Sequence, residues 1–232
     1  MKRGAGHIEV IISMVLFIGF VMFVFYFFNP IKSSRIVDSS LPYLFSEINE
    51  NLNVELETYS VKVDENIGLN DVLAVELSPE TLDSKKVRVE DYYETKRLES
   101  RYSGNTVYIK PEGEDFILIK ICEDFEDYQD DTGDAQYGEG DYVISYVGTR
   151  EIFSEKKAEE LNQKYLEDYE SLRSEFNLGR TNFGFSLVFS DSQVRAEKFI
   201  PAGTDVFSEY RRKEVLRESG ELEFADLIAM VW

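Results

Sequence analysis

Apolar residues run almost unbroken from Val10 to Phe28, interrupted only by Ser13, Gly19 and Tyr26. These nineteen residues, if helical at about 1.5 Å each, cover roughly 28 Å, close to the ~30 Å hydrocarbon core of a bilayer. Asn29-Pro30 closes the run, because the residue before a proline is pushed out of helical geometry. A secretory signal peptide has an apolar stretch of only about 7–15 residues and a small-x-small cleavage site behind it. Tyr26-Phe27-Phe28-Asn29-Pro30-Ile31 offers no such site, so the pattern predicts a retained transmembrane helix over 5–30.

Beyond Pro30 the period changes. Val37, Leu41, Leu44, Phe45 and Ile48 share one side of an amphipathic stalk helix, expected from Ile36 to Leu52 within the segment 31–52. Pro42 should sit in its first turns or break it. Short β-like runs follow at Val54–Val63, Val72–Leu77, Lys86–Val89, Thr106–Lys110, Phe116–Cys122 and Tyr142–Val147, separated by turn residues such as Gly68, Gly104-Asn105 and Pro111-Glu-Gly113. Ser154 can cap a single long helix whose Ala158, Leu161, Tyr165, Tyr169, Leu172 and Phe176 recur at spacings of three and four, with Gly179 just past its end. Strands at Phe183–Ser190 and Val194–Phe199 and a hairpin from Val206 to Trp232, turning near Glu218-Ser-Gly220, close the chain. The fold class expected is α+β: an N-terminal transmembrane and stalk helix, then a β-rich head over 53–232 with one long amphipathic helix packed on an antiparallel sheet. No internal repeat and no linker divides that head.

Composition narrows the setting. Lys2 and Arg3 before the apolar run are nearly balanced by Lys32 and Arg35 after it. The large domain beyond therefore decides orientation, since large domains translocate with little regard to charge. That places the N-terminus in the cytoplasm and the head outside the cell membrane. A net charge of −20 argues against nucleic acid as a partner, because little here neutralises phosphates. The single cysteine, Cys122, ends a buried-looking strand and reads as an inert core thiol.

Candidate chemistry is sparse. The one histidine, His7, precedes the apolar run, so the head can build no Ser-His pair or His-Cys metal cluster, and it shows no Gly-rich phosphate loop. No catalytic residue and no cofactor is expected, and the chain does not read as an enzyme. From Glu123 to Asp141 the sequence packs nine carboxylates among glycines. Asp127, Gln129 and Asp131 have the alternate spacing of a calcium loop, with Asp130 between them. The glycine, however, falls one residue late at Gly133, and Gly138 stands where a closing glutamate would be needed. These are weak metal candidates, and the segment is expected to be a solvated, mobile loop.

Glu9 is different. A carboxylate at mid-bilayer costs about 2.5–3.5 kcal/mol, and less near the surface, so its place at the lip of a membrane helix calls for a cation. His7 points off another side of the helix. Cleavage after Gly4 would give Ala5 a new α-ammonium one turn before Glu9, and neighbouring helices could pair one subunit's Ala5 with another's Glu9. Lys2-Arg3-Gly4 followed by Ala5-Gly-His-Ile-Glu9-Val-Ile-Ile resembles the class III leader of type IV pilins and pilin-like proteins. The short basic leader is similar to that of the archaeal members, and Ile8-Glu9-Val10-Ile11 to bacterial pilins and pseudopilins. Ala5 replaces the family's common bulky first residue, and Gly6-His7 its usual Thr-Leu. The resemblance implies a leader at 1–4 removed by a prepilin peptidase and an assembly helix guided by Glu9. It also implies other pilin-like subunits and the lipid bilayer as partners, with the head at the cell surface after assembly. Gly19 and Pro30 match the family's helix-weakening residues in and just beyond the span. Two readings follow: a subunit of a pilus-like filament or pseudopilus, or a single-pass protein with an uncleaved anchor and a head that binds a ligand or partner.

Overall fold

The structure, a computed structural model, describes residues 5–28, 31–78 and 81–232, with side chains described over 9–25, 40–78 and 81–232. Two helices lead: α1 (Ala5–Phe28) and α2 (Ile31–Leu52). α2 starts earlier than its apolar spacing predicts and runs through Pro42. Its last turns bury Leu44, Phe45, Ile48 and Leu52. Val37 and Pro30, given roles by the sequence, lie outside the residues described to that level. Among the described residues no helix is long and apolar enough to cross a membrane.

Among the described residues eleven strands follow, β1 (Asn53–Val63), β2 (Leu73–Glu76), β3 (Lys86–Asp91), β4 (Ser100–Ser103), β5 (Thr106–Ile109), β6 (Phe116–Cys122), β7 (Tyr142–Ser154), β8 (Phe183–Val188), β9 (Gln193–Ala196), β10 (Phe207–Leu216) and β11 (Leu222–Val231). Eight form one sheet in the order β3-β6-β1-β7-β10-β11-β8-β9, and β2-β5-β4 form a small second sheet. The large sheet is mixed rather than antiparallel as expected: β7 and β10 run parallel and pair only at Val215–Phe153 and Leu216–Ser154. From that joint the two halves of the sheet separate, each with its own core.

In the first half, Tyr59, Val61 and Val63 of β1 join Ile117, Ile119 and Ile121 of β6 beneath the small sheet. Val54 and Leu56, of opposite parity on β1, face the other way and pack with Cys122, Phe125, Ile152 and Leu216 at the joint. One strand thus serves two cores because its apolar residues change parity near Thr58. Lys120 interrupts the β6 run and is buried, but Glu90 and Glu94 accept from its ammonium at 2.6 and 2.7 Å. A buried charge needs such pairing.

The second half holds α2, β8 to β11 and the predicted helix. That helix is not one but two, α3 (Glu155–Glu167) and α4 (Tyr169–Glu175), broken at Asp168, which leaves helical geometry at φ −144° and ψ 71°. Its backbone N–H still reaches Lys164 O at the end of α3, while its carboxylate accepts from Ser171 N at 3.1 Å to cap α4. The apolar stripe survives the break. Ala158, Leu161, Tyr165, Tyr169, Leu172 and Phe176 are all buried against β8 and α2, and the Tyr165 hydroxyl donates to Phe183 O at 2.7 Å. Ser154 caps α3 as the sequence implies, accepting from Lys157 N at 3.3 Å. The left-handed residue directly behind α4 is Asn177, with Gly179 two positions on.

Candidate functional sites at the N-terminal helix and the acidic segment

Glu9 lies in the second turn of α1 and is exposed. Ala5 is the first helical residue, so its backbone nitrogen sits at the positive end of the helix macrodipole, four residues before the carboxylate. Gly4 lies outside the described residues, and nothing can be said of the side chain of His7. The large apolar side chains from Val10 to Phe25 that are described are mostly exposed; Phe17, for example, is 67 % exposed. That is the reverse of α2, where the apolar side points into the head.

The 123–141 segment is not the mobile loop expected from its composition. It forms a strap across the small sheet, whose two open edges are β4 and β2. At β4, Asp130 N donates to Ser100 O at 2.9 Å, while the Asp130 carboxylate accepts from Ser100 N at 3.0 Å and from Arg97 at 2.5 Å. Gln129 accepts from Tyr102 N at 3.1 Å, and Tyr102 in turn donates its hydroxyl to Asp127 at 3.0 Å. Thr132 is buried and its hydroxyl accepts from Arg101 at 3.0 Å. At β2, Gln136 exchanges bonds with the Val72 backbone at 2.7 and 3.0 Å, and Ala74 N donates to Tyr137 O at 2.9 Å. The strap satisfies backbone groups that would otherwise stand open on both edges.

The metal candidates are thereby separated by their uses. Asp127 serves Tyr102 and Gln129, Asp130 serves Arg97 and Ser100, and Asp131 is exposed. Among the described residues no group of three or more His, Cys, Asp or Glu side chains is arranged to hold a metal ion. Cys122 is fully buried at the joint of the sheet halves, and burial pushes its thiol pKa up, away from the reactive thiolate. Sequence reasoning missed β4, whose Ser-Arg-Tyr-Ser has no apolar alternation to announce it. It also stopped β7 at Val147, although the strand runs on to Ser154. No protein-family model, curated protein or solved structure matches this chain.

Proposed function

We propose that the chain is a membrane-anchored subunit of a type IV pilus-like filament or pseudopilus, cut after Gly4 by a prepilin peptidase. The observation that carries this reading is the Gly4-Ala5…Glu9 motif at the start of α1, a helix whose apolar side chains stay exposed beside an α2 that buries its own. An apolar surface of that extent marks an interaction with lipid or protein. Counted on the sequence, the nineteen residues of the apolar run from Val10 to Phe28 would cover roughly 28 Å as a helix, near the ~30 Å core of a bilayer. In this proposal Gly4 fits the peptidase, and cleavage frees the Ala5 α-ammonium. Glu9 then accepts that cation from a neighbouring helix, fixing the register of assembly where few other polar contacts exist. The head stands outside the membrane, held to the assembly helix by α2.

Mass spectrometry of membrane-purified protein tests the processing. The mature chain is expected to start at Ala5, and Gly4→Leu to keep the leader; an intact Met1 or Lys2 terminus in a host with the peptidase would refute it. Glu9→Ala tests the assembly. Membrane insertion should be unharmed, while crosslinked oligomers and surface filaments should be lost. Oligomers at wild-type level would leave a simple anchor carrying a binding head.

A further inference from the structure

The long edges of the large sheet are not equally protected. The outer edge of β3 is met by the 96–98 segment, through Leu98 N to Val89 O at 2.9 Å and Asp91 N to Lys96 O at 3.0 Å. β9 is only four residues long. β10 is open before Val215, but it carries Glu209, Arg211, Arg212, Lys213 and Glu214, the charges by which edges resist pairing. β7 has no such defence over its first eight residues. Beyond its joint with β10, the described residues offer its outer edge no ladder partner from Tyr142 to Ile152. From Tyr142 to Thr149 it reads Tyr-Val-Ile-Ser-Tyr-Val-Gly-Thr, without one charge in a chain that is 30 % charged. Val143, Tyr146 and Val147 are 62, 63 and 51 % exposed.

One irregularity marks this edge. Against β1 the register passes from Ser60–Tyr146 to Val61–Ile144, leaving Ser145 as a bulged residue. A bulge exchanges the faces to which odd and even residues point. Val143 therefore shares a face with Tyr146 and Gly148, and Ile144 with Val147 and Thr149. Consider β7 laid antiparallel on a copy of itself. Side chains match face to face when the pair is centred between Ile144 and Ser145, which leaves Asp141 against Gly148, or between Ser145 and Tyr146, where Ile144 meets Val147, Val143 meets Gly148 and Tyr142 meets Thr149. In the second register Asp141 of each copy falls opposite Arg150 of the other, an opposite-charge pair at both ends of an uncharged centre. Arg150, which also holds Glu214 at 2.9 Å, is half exposed. Two copies with a net charge of −20 each repel over most of their surface. Here they meet with no like charges opposed, and a two-fold contact needs that self-complementarity.

We propose that the open edge of β7 pairs antiparallel with the β7 edge of a second copy of the chain, centred on the Ser145 bulge. The contact uses no residue of α1 and stands apart from the helix assembly proposed above.

Disulfide trapping in native membranes tests it with two differently tagged full-length copies, because Cys122 is buried and stays silent. A copy carrying Ile144→Cys should crosslink to one carrying Val147→Cys several-fold more than to one carrying Thr149→Cys. Val143→Lys in both copies, at an exposed position, should lower that yield several-fold. Repeated in Glu9→Ala, the yield should not change. Equal trapping of matched and shifted pairs would overturn the proposal. So would better trapping of Val147→Cys by a copy carrying Tyr210→Cys on β10, or loss of the contact in Glu9→Ala.

Discussion

The four α2 residues buried in the head, Leu44, Phe45, Ile48 and Leu52, are at most 2 % exposed. Burying such a side chain contributes about 1.5–3 kcal/mol, so the four together supply roughly 6–12 kcal/mol. Whole domains are stable by only about 5–15 kcal/mol. Partial collapse of the unfolded chain trims the figure by roughly 10–40 %, and the Lys213–Asn49 bond at 2.8 Å adds to it. A chain beginning at Ser33 keeps all four and should fold cooperatively, whereas one beginning at Asn53 should not hold its α3–α4 half. Trp232 is the only tryptophan and closes against Gly184 on β8, so its fluorescence reports that half directly, beside far-ultraviolet circular dichroism. Ile48→Ala in the longer chain provides a graded version. It should cost about 2–5 kcal/mol, and at roughly 2–4 °C per kcal/mol for a domain of this size it should lower the midpoint by about 4–20 °C. Should the chain from Asn53 melt cooperatively within about 5 °C of the chain from Ser33, α2 would be an accessory to the head and this reasoning would fail.

Two further outcomes follow from polar groups in the head. The buried Asp91 carboxylate accepts from the Thr95 hydroxyl and Thr95 N, both at 2.6 Å, and from Lys96 N at 2.9 Å. Those bonds, the Thr95 hydroxyl first, hold its pKa below the usual carboxylate range. A depressed folded pKa gives stability that is full above the unfolded value of about 3.9 and lost as pH falls through the folded one. Asp91→Asn should therefore be about 1.5–3 kcal/mol less stable at pH 7, with the gap to wild type closing below pH ~4; a gap independent of pH in thermal melts would refute the charge argument. In the strap, Asp130→Ala strands Arg97 and Ser100 N and should destabilise the head by about 1–3 kcal/mol, while millimolar Ca²⁺ leaves the wild-type melting midpoint unmoved. A large Ca²⁺-dependent rise, lost when Asp127, Asp130 and Asp131 are neutralised together, would show that the strap binds the ion after all.

What the sequence made legible was whatever local pattern decides. The apolar stripe from Ala158 to Phe176 announced a helical face, and it is buried as its spacing requires. What it could not announce was the break at Asp168, because an aspartate can both accept the end of one helix and cap the next without disturbing the 3.6-residue period of its neighbours. The mixed sheet was hidden for a related reason. Among the described residues the strands pair with one another antiparallel except β7 with β10, and that parallel joint involves just two residue pairs, too short to leave a signature in composition; the isolated parallel bridge of Leu73 to Tyr137 is shorter still. β4 was invisible because its polar residues are strand only through pairing with β5, so its cause lies in residues several positions away along the chain.

The acidic segment shows why composition misleads about order. Nine carboxylates in nineteen residues read as a chain that solvent should claim, and many of the side chains are indeed exposed. Order comes instead from the partners. Arg97 and Arg101 stand on or beside the β4 edge, Val72 and Ala74 on the β2 edge, and the strap lies where those donors and acceptors are. Arg101 also stacks over Tyr108 at 3.9 Å, a contact that helps fix the guanidinium it offers to Thr132. The same logic separates the two small-sheet edges from β7. Where the chain has an open edge and a segment long enough to reach it, it covers the edge itself; β7 is long, uncharged from Tyr142 to Thr149 and left without such a segment. An edge of that kind is a liability for unintended pairing, and the β7 pairing proposed above would cover it, whereas the acidic strap already spends its polar groups on the small sheet.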